Sequence, residues 1–156
     1  MTEHTAPAAG ADVTIAASPE AVYALITDLP TLAALAEETD AMEWVIGDAV
    51  APGAVFKGHN RNGSKKWTTK CTVTAAEPGR AFAFDVKSTG LPIAHWRYDI
   101  AATEGGCTVT EQTWDRRPGW FKPLAGLATG ISDRDAANAE HIKITLARLK
   151  TQAESA

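Results

Sequence analysis

Asn60, Thr69, Tyr98, Glu111 and Thr113 stand out because their chemical type disagrees with their position. Each falls on the apolar side of an alternating segment. Asp135 and Asn138 interrupt an apolar helical stripe in the same way. A buried amide, hydroxyl or carboxylate without a partner is costly, so these groups must bond to one another, to water or to a bound molecule. A few convergent polar groups on an apolar wall are the ordinary make-up of a small-molecule site. The plainer reading is that they satisfy one another or sit at solvent-facing strand ends. Glu111 is the sharpest case. Desolvation raises the pKa of a carboxyl in an apolar pocket, which suits it to act as acid or base near neutrality. Pairing with Arg97, Arg134 or a backbone donor would instead make it structural. Tyr98 either orients a ligand carbonyl or is core with its hydroxyl at the rim.

Other chemistries find little support. The chain contains no HExxH, GxSxG, P-loop or GxGxxG pattern. His4, His59, His95 and His141 are scattered between a tail, an outward strand face and a helix flank, so no metal site and no cofactor is expected. Cys71 and Cys107 lack CxxC spacing and read as small core residues on non-adjacent strands. A net charge of −4 with a pI near 5.5 argues against nucleic acid as a partner. No apolar run approaches the ~20 residues that span a bilayer, so stable membrane insertion is not expected. The opening Met1–Pro7 lacks the basic and apolar regions of a secretory leader, and the expected location is the cytoplasm.

The elements that must position the polar set are legible from periodicity. The 156 residues suit one domain, expected over 11–153 after a loose Ala/Pro/Gly-rich tail over 1–10. Asp12–Ala16 alternates as a first strand. Ser18-Pro19-Glu20 is a helix start, with a hydroxyl cap, proline at the first turn and an acid at the positive dipole end. Two short helices follow, broken at Pro30. From Ala41 the apolar period drops to two, predicting strands over 42–47, 55–61, 67–77, 80–87, 93–102 and 107–115. Short turns join them, Asn62-Gly63 among them, so the sheet must be antiparallel. After Pro118 the helical period returns. Leu124, Leu127, Ile131, Asp135, Asn138, Ile142, Leu146 and Leu149 share one sector of a predicted helix over 123–152.

The expected fold is therefore α+β, a curved seven-stranded antiparallel sheet wrapped around a long C-terminal helix. One helix cannot fill a strongly twisted sheet along its whole length, and a cavity follows. Alternation predicts Phe56, Gly58 and Asn60; Trp67, Thr69, Cys71, Val73 and Ala75; Phe82, Phe84 and Val86; Trp96, Tyr98 and Ile100; and Cys107, Val109, Glu111 and Thr113 as the inward set. The candidate ligand-binding wall is Phe56, Asn60, Trp67, Thr69, Phe82, Phe84, Trp96, Tyr98, Glu111, Thr113, Ile131, Asp135, Asn138 and Ile142, with Glu111 the candidate catalytic residue. Lys57, Arg61, Lys70, Lys87 and Arg97 project outward beside Asp85 and Asp99, as on a solvated, salt-bridged exterior. Trp114, Trp120 and Phe121 flank Arg116-Arg117-Pro118 and form either the pocket mouth or a latch onto the helix.

Ser18-Pro19-Glu20-Ala21-Val22-Tyr23-Ala24-Leu25-Ile26-Thr27-Asp28-Leu29 resembles the first-helix signature of the START/Bet v 1-like (SRPBCC) superfamily, in its polyketide cyclase/dehydrase branch. Gly53–Arg61, the Trp67 strand, Gly106–Glu111, Asp133-Arg134 with Asn138, and Thr145–Leu149 carry the likeness on, over about residues 12–150. The resemblance implies a helix-grip fold and a cavity for lipids, polyketides, hormones or aromatic molecules. In some branches it implies aromatase/cyclase or hydrolase-like activity. It carries over pocket positions only, here Asn60, Trp67, Tyr98, Glu111 and Asn138. Three functions stay open: a carrier or sensor of a small hydrophobic molecule, a cyclase, dehydratase or hydrolase using Glu111 with Asn60 or Tyr98, and a regulatory protein-interaction module.

Overall fold

The computed structural model describes residues 6–155. Its strands are β1 (Ala9–Ile15), β2 (Thr39–Ile46), β3 (Val55–Asn62), β4 (Lys65–Glu77), β5 (Ala81–Ser88), β6 (Leu91–Thr103) and β7 (Gly106–Asp115). They form one sheet in the order β1-β7-β6-β5-β4-β3-β2, with every pair antiparallel. Helices α1 (Pro19–Ile26) and α2 (Leu29–Leu35) cross from one sheet edge to the other. After β7 come a 3-10 turn at Gly119–Phe121, then α3 (Lys122–Thr129) and α4 (Arg134–Glu154). This is the α+β helix-grip fold. β2 to β7 run as a meander because each connection is too short for a parallel crossover.

Local chemistry sets the boundaries. Ser18 caps α1 through the Ala21 N–H at 3.1 Å, and Asp28 caps α2 through the Thr31 N–H at 3.2 Å. The tail is shorter than expected. Ala9 and Gly10 belong to β1, and the Ala8 N–H donates to the Thr113 carbonyl at 2.8 Å. Only residues 1–5 of it lie outside the described residues. Where β1 meets β7, a Cβ on Gly106 would stand 2.0 Å from the Ile15 carbonyl oxygen, so this edge closes only over glycine.

Two sequence expectations fail for identifiable reasons. The long helix over 123–152 is two helices. Gly130 adopts φ 76°, its N–H caps Gly126 at 2.9 Å, and Asp133 restarts the helix by accepting from the Ala136 N–H at 3.1 Å. The break shifts the helical phase, so Leu124 and Leu127 face outward and Asp135 is exposed. The second failure lies in β4, where a bulge between Val73 and Ala75 advances the alternation by one residue. Ala76, not Ala75, then pairs with Phe82 and packs against the core.

The core lies between the concave face of the sheet and α4, where Ile142, Leu146 and Leu149 meet Phe56, Phe82, Val73 and Val109. At the far end of α4, the Glu154 carboxylate accepts from the Ala16 N–H at 2.8 Å and Lys150 donates to the Thr14 carbonyl at 2.9 Å. Midway, Thr145 and Arg148 both donate to the Leu35 carbonyl at the end of α2. These bonds hold the C-terminal half of α4 to the sheet edge and to α2. Its N-terminal half stands off, and the gap is the cavity. On the convex face His59 meets Glu43 at 2.9 Å, His95 meets Asp85 at 2.7 Å, and Arg97 meets Asp99 at 3.0 Å.

Candidate functional site

A cavity of about 240 Å³ lies between the sheet, the α2–β2 junction, α3 and α4. An apolar cavity of roughly 150 Å³ already admits benzene, so this one has room for a somewhat larger guest. Of the predicted wall, Asn60, Trp67, Thr69, Phe84, Trp96, Tyr98, Glu111, Thr113, Asn138 and Ile142 line it. Four do not. Phe56 and Phe82 have no exposed surface and sit behind the wall, Phe56 edge-on to Trp44 and Phe84, Phe82 against Phe84 and Tyr98. Ile131 falls in the α3–α4 connection and Asp135 on the exposed side of α4, both displaced by the break at Gly130. A second concavity, about 510 Å³, lies between the α1–α2 turn and β2, and its carboxylates Asp28, Glu43 and Asp48 are all exposed.

Glu111 lies on the cavity wall at 3 % exposure. It stands opposite Tyr98 across the β6–β7 pair, and the Tyr98 hydroxyl donates to its carboxyl. Its Oε1 has no partner. Burial pushes the pKa up to about 8, against the opposing pull of the Tyr98 hydrogen bond. Near neutrality the group is therefore largely the neutral acid. Burial, with the Glu111 charge adding to it, also lifts Tyr98 well above the ordinary phenol value. The two arginines considered as partners for Glu111 are engaged elsewhere, Arg97 with Asp99 and Arg134 with Glu38.

Among the remaining predicted polar groups, Asn60, Thr69 and Thr113 bond within the protein. Thr39 Oγ1 donates to Asn60 Oδ1 at 3.1 Å, and the Asn60 side-chain amide nitrogen donates to Thr69 Oγ1 at 3.1 Å. Thr113 donates to the His95 carbonyl at 3.2 Å. Cys71, also on the wall, is an inert thiol whose pKa burial pushes to about 12.

A second polar station on the same wall escaped the sequence reading. Arg134 donates to Glu38 Oε1 at 2.5 Å, His141 Nδ1 lies 3.5 Å from the same oxygen, and the Arg134 guanidinium sits 5.9 Å from the centre of the Trp67 ring. Glu38 Oε2 is buried without a partner. Glu38 follows α2 at an irregular junction where no periodicity marks it. The helical half carries a signal, since Arg134, Asn138, His141, Ile142 and Thr145 form one stripe of α4 beside the apolar one. Of the aromatic residues near Arg116-Arg117, Phe121 lines the cavity, whereas Trp120 is 66 % exposed and packs edge-on to Phe121. Among the described residues no cluster of His, Cys, Asp or Glu has the geometry to hold a metal ion.

The family described as polyketide cyclase / dehydrase and lipid transport matches residues 8–154. No curated protein matches the chain by sequence. Among solved structures, the Polyketide_cyc-like protein Cgl2372 from Corynebacterium glutamicum is 26 % identical, with a TM-score of 0.61 over 90 % of this chain and 87 % of that one. Protein CV1439 from Chromobacterium violaceum is 16 % identical with a TM-score of 0.68, covering 93 % of this chain and 95 % of that one. The di-domain ARO/CYC StfQ from the steffimycin biosynthetic pathway is 13 % identical with a TM-score of 0.72, and 94 % of this chain covers 50 % of StfQ. At such identities CV1439 and StfQ speak for the fold alone.

Proposed function

The chain belongs to the polyketide cyclase/dehydrase and lipid transport family, and from that premise we propose that it binds a small, mostly apolar molecule in the cavity under α4, as a carrier or sensor. The observation that carries this reading is Glu111. A carboxyl this deeply buried, with one oxygen unbonded beside an open apolar space, is costly unless a guest bonds to it. The guest that fits is an apolar body, such as a lipid, polyketide or aromatic compound, bearing a hydroxyl or carbonyl that meets Glu111. The cytoplasmic address expected from the sequence belongs to the same proposal.

Enzymatic cyclase- or dehydratase-like chemistry is the second reading, and the same residue favours it. A carboxyl with a pKa near 8, oriented by Tyr98, suits general acid or base work near neutrality. Native mass spectrometry of protein purified from its own host tests for a bound guest, and thermal-shift screening with fatty acids, flavonoids and polyketide mimics follows. Glu111→Gln separates the readings. A binder loses affinity only, whereas an acid/base enzyme loses turnover by roughly 10²–10⁴-fold. Failure of every apolar compound to bind or to raise the melting temperature would end the binding proposal.

A further inference from the structure

We propose that α3 and the β3–β4 hairpin form a docking face for the surface of an anionic lipid bilayer. The inference stands on the exterior of the protein and does not depend on what occupies the cavity. Trp120, in the 3-10 turn, and Leu124 and Leu127, on α3, are 66 %, 53 % and 73 % exposed and succeed one another along the outward side of this segment. The inner side of the same segment is apolar too, with Phe121 of the turn and Ala125 and Ala128 of α3 on the cavity wall. A helix apolar on both sides is normally covered on both. Here the outer side has no cover from the described residues.

Charge identifies the occupant. Residues 55–76 hold five cations, Lys57, Arg61, Lys65, Lys66 and Lys70, and no acid, in a chain whose net charge is −4. The tip of that hairpin lies against α3, because the Asn62 amide donates to the Thr129 carbonyl at 2.9 Å. Arg61, Lys65 and Lys66 are therefore exposed beside the apolar stripe at one end, while Lys122, half exposed, marks the other. Of the nearby acids, Asp40 pairs with Arg61, Asp115 with Arg117 and Lys122, and Asp133 caps the first turn of α4, while the charge of exposed Asp135 acts on Arg117.

Exposed tryptophan and leucine rimmed by lysine suit an interface of acyl chains and anionic headgroups. A second copy of the chain fits poorly, because a two-fold contact through the middle of this face would set Arg61, Lys65 and Lys66 of one copy against Lys122 of the other. Docking would be peripheral. α3 has eight residues, and no helix among the described residues is long and apolar enough to cross a membrane.

Flotation of the full chain with vesicles tests this directly, comparing phosphatidylcholine alone with phosphatidylcholine mixed with phosphatidylglycerol. Binding is expected on the mixed vesicles only, and it should weaken as salt rises. Leu127→Glu, and Lys65→Glu with Lys66→Glu, should each reduce it by roughly tenfold or more while circular dichroism stays unchanged. No binding to the anionic vesicles, or binding that both variants retain, overturns the proposal. So does a dimer in sedimentation velocity that Leu127→Glu converts to monomer, since the stripe would then serve self-association.

Discussion

Tyr98 and Glu111 face each other across β6 and β7, and the phenol hydroxyl is the partner that meets the carboxyl inside the cavity. Carboxyl oxygen Oε1 of Glu111 is left without a partner. The Tyr98 hydrogen bond also opposes the upward pull of burial on the Glu111 pKa, so the pair sets both the polarity of the cavity floor and its response to pH.

The raised pKa makes stability depend on pH. Between about 4.5 and about 8 the folded state keeps a proton on Glu111 that the unfolded chain has released. Raising pH through that window therefore destabilises the fold, and above it the penalty is constant. Glu111→Gln lacks this term. Urea denaturation of both proteins across pH 4 to pH 9 should show the variant gaining on the parent, by on the order of 5 kcal/mol at the alkaline end. Parallel curves would mean that the carboxyl is hydrated.

Tyr98→Phe removes the one hydrogen bond that lowers the Glu111 pKa, so titration should move above about 8. The buried carboxyl also loses a partner, at a cost of about 1–3 kcal/mol. Carboxyl-carbon NMR follows the first effect and denaturant unfolding the second. An unmoved titration would place the hydroxyl elsewhere.

Arg134 and Glu38 join the start of α4 to the α2–β2 junction across the cavity wall, with 15 % and 16 % of their side-chain surfaces exposed. Arg134→Ala strips Glu38 of its bonded donor and should cost about 1–3 kcal/mol. A double-mutant cycle with Glu38→Ala should return a coupling of about 1 kcal/mol or more. Additive losses would show the two side chains to be independent.

Gly130→Ala decides whether α3 and α4 are two helices. With φ at 76° the alanine is strained and should destabilise by about 1–2 kcal/mol. In an unbroken helix the same change would stabilise by about 1 kcal/mol. The sign of the shift in unfolding midpoint is the measurement.

Much of the site was legible along single strands. Side chains alternate across a pleat whatever the rest of the chain does, so Asn60, Trp67, Thr69, Phe84, Trp96, Tyr98, Glu111 and Thr113 could be assigned to the inner face before any contact was known. Alternation says which face a residue shares but not how far along the strand the space extends. Phe56 and Phe82 share the face and still sit behind the wall. The bulge in β4 is invisible to a period-two count, and Ala75 was assigned to the wrong face.

What the amino-acid order determined by itself was local: the cap at Ser18, the meander from β2 to β7, and the burial of Glu111 on an apolar face. Each depends on neighbours a few residues away. Tertiary structure alone decided that Tyr98 rather than an arginine meets Glu111, that Glu38, Arg134 and His141 converge, and that α3 turns Leu124 and Leu127 outward. Those outcomes depend on groups far apart in sequence and on a single positive φ at Gly130, where one residue reorients everything that precedes it on the helix.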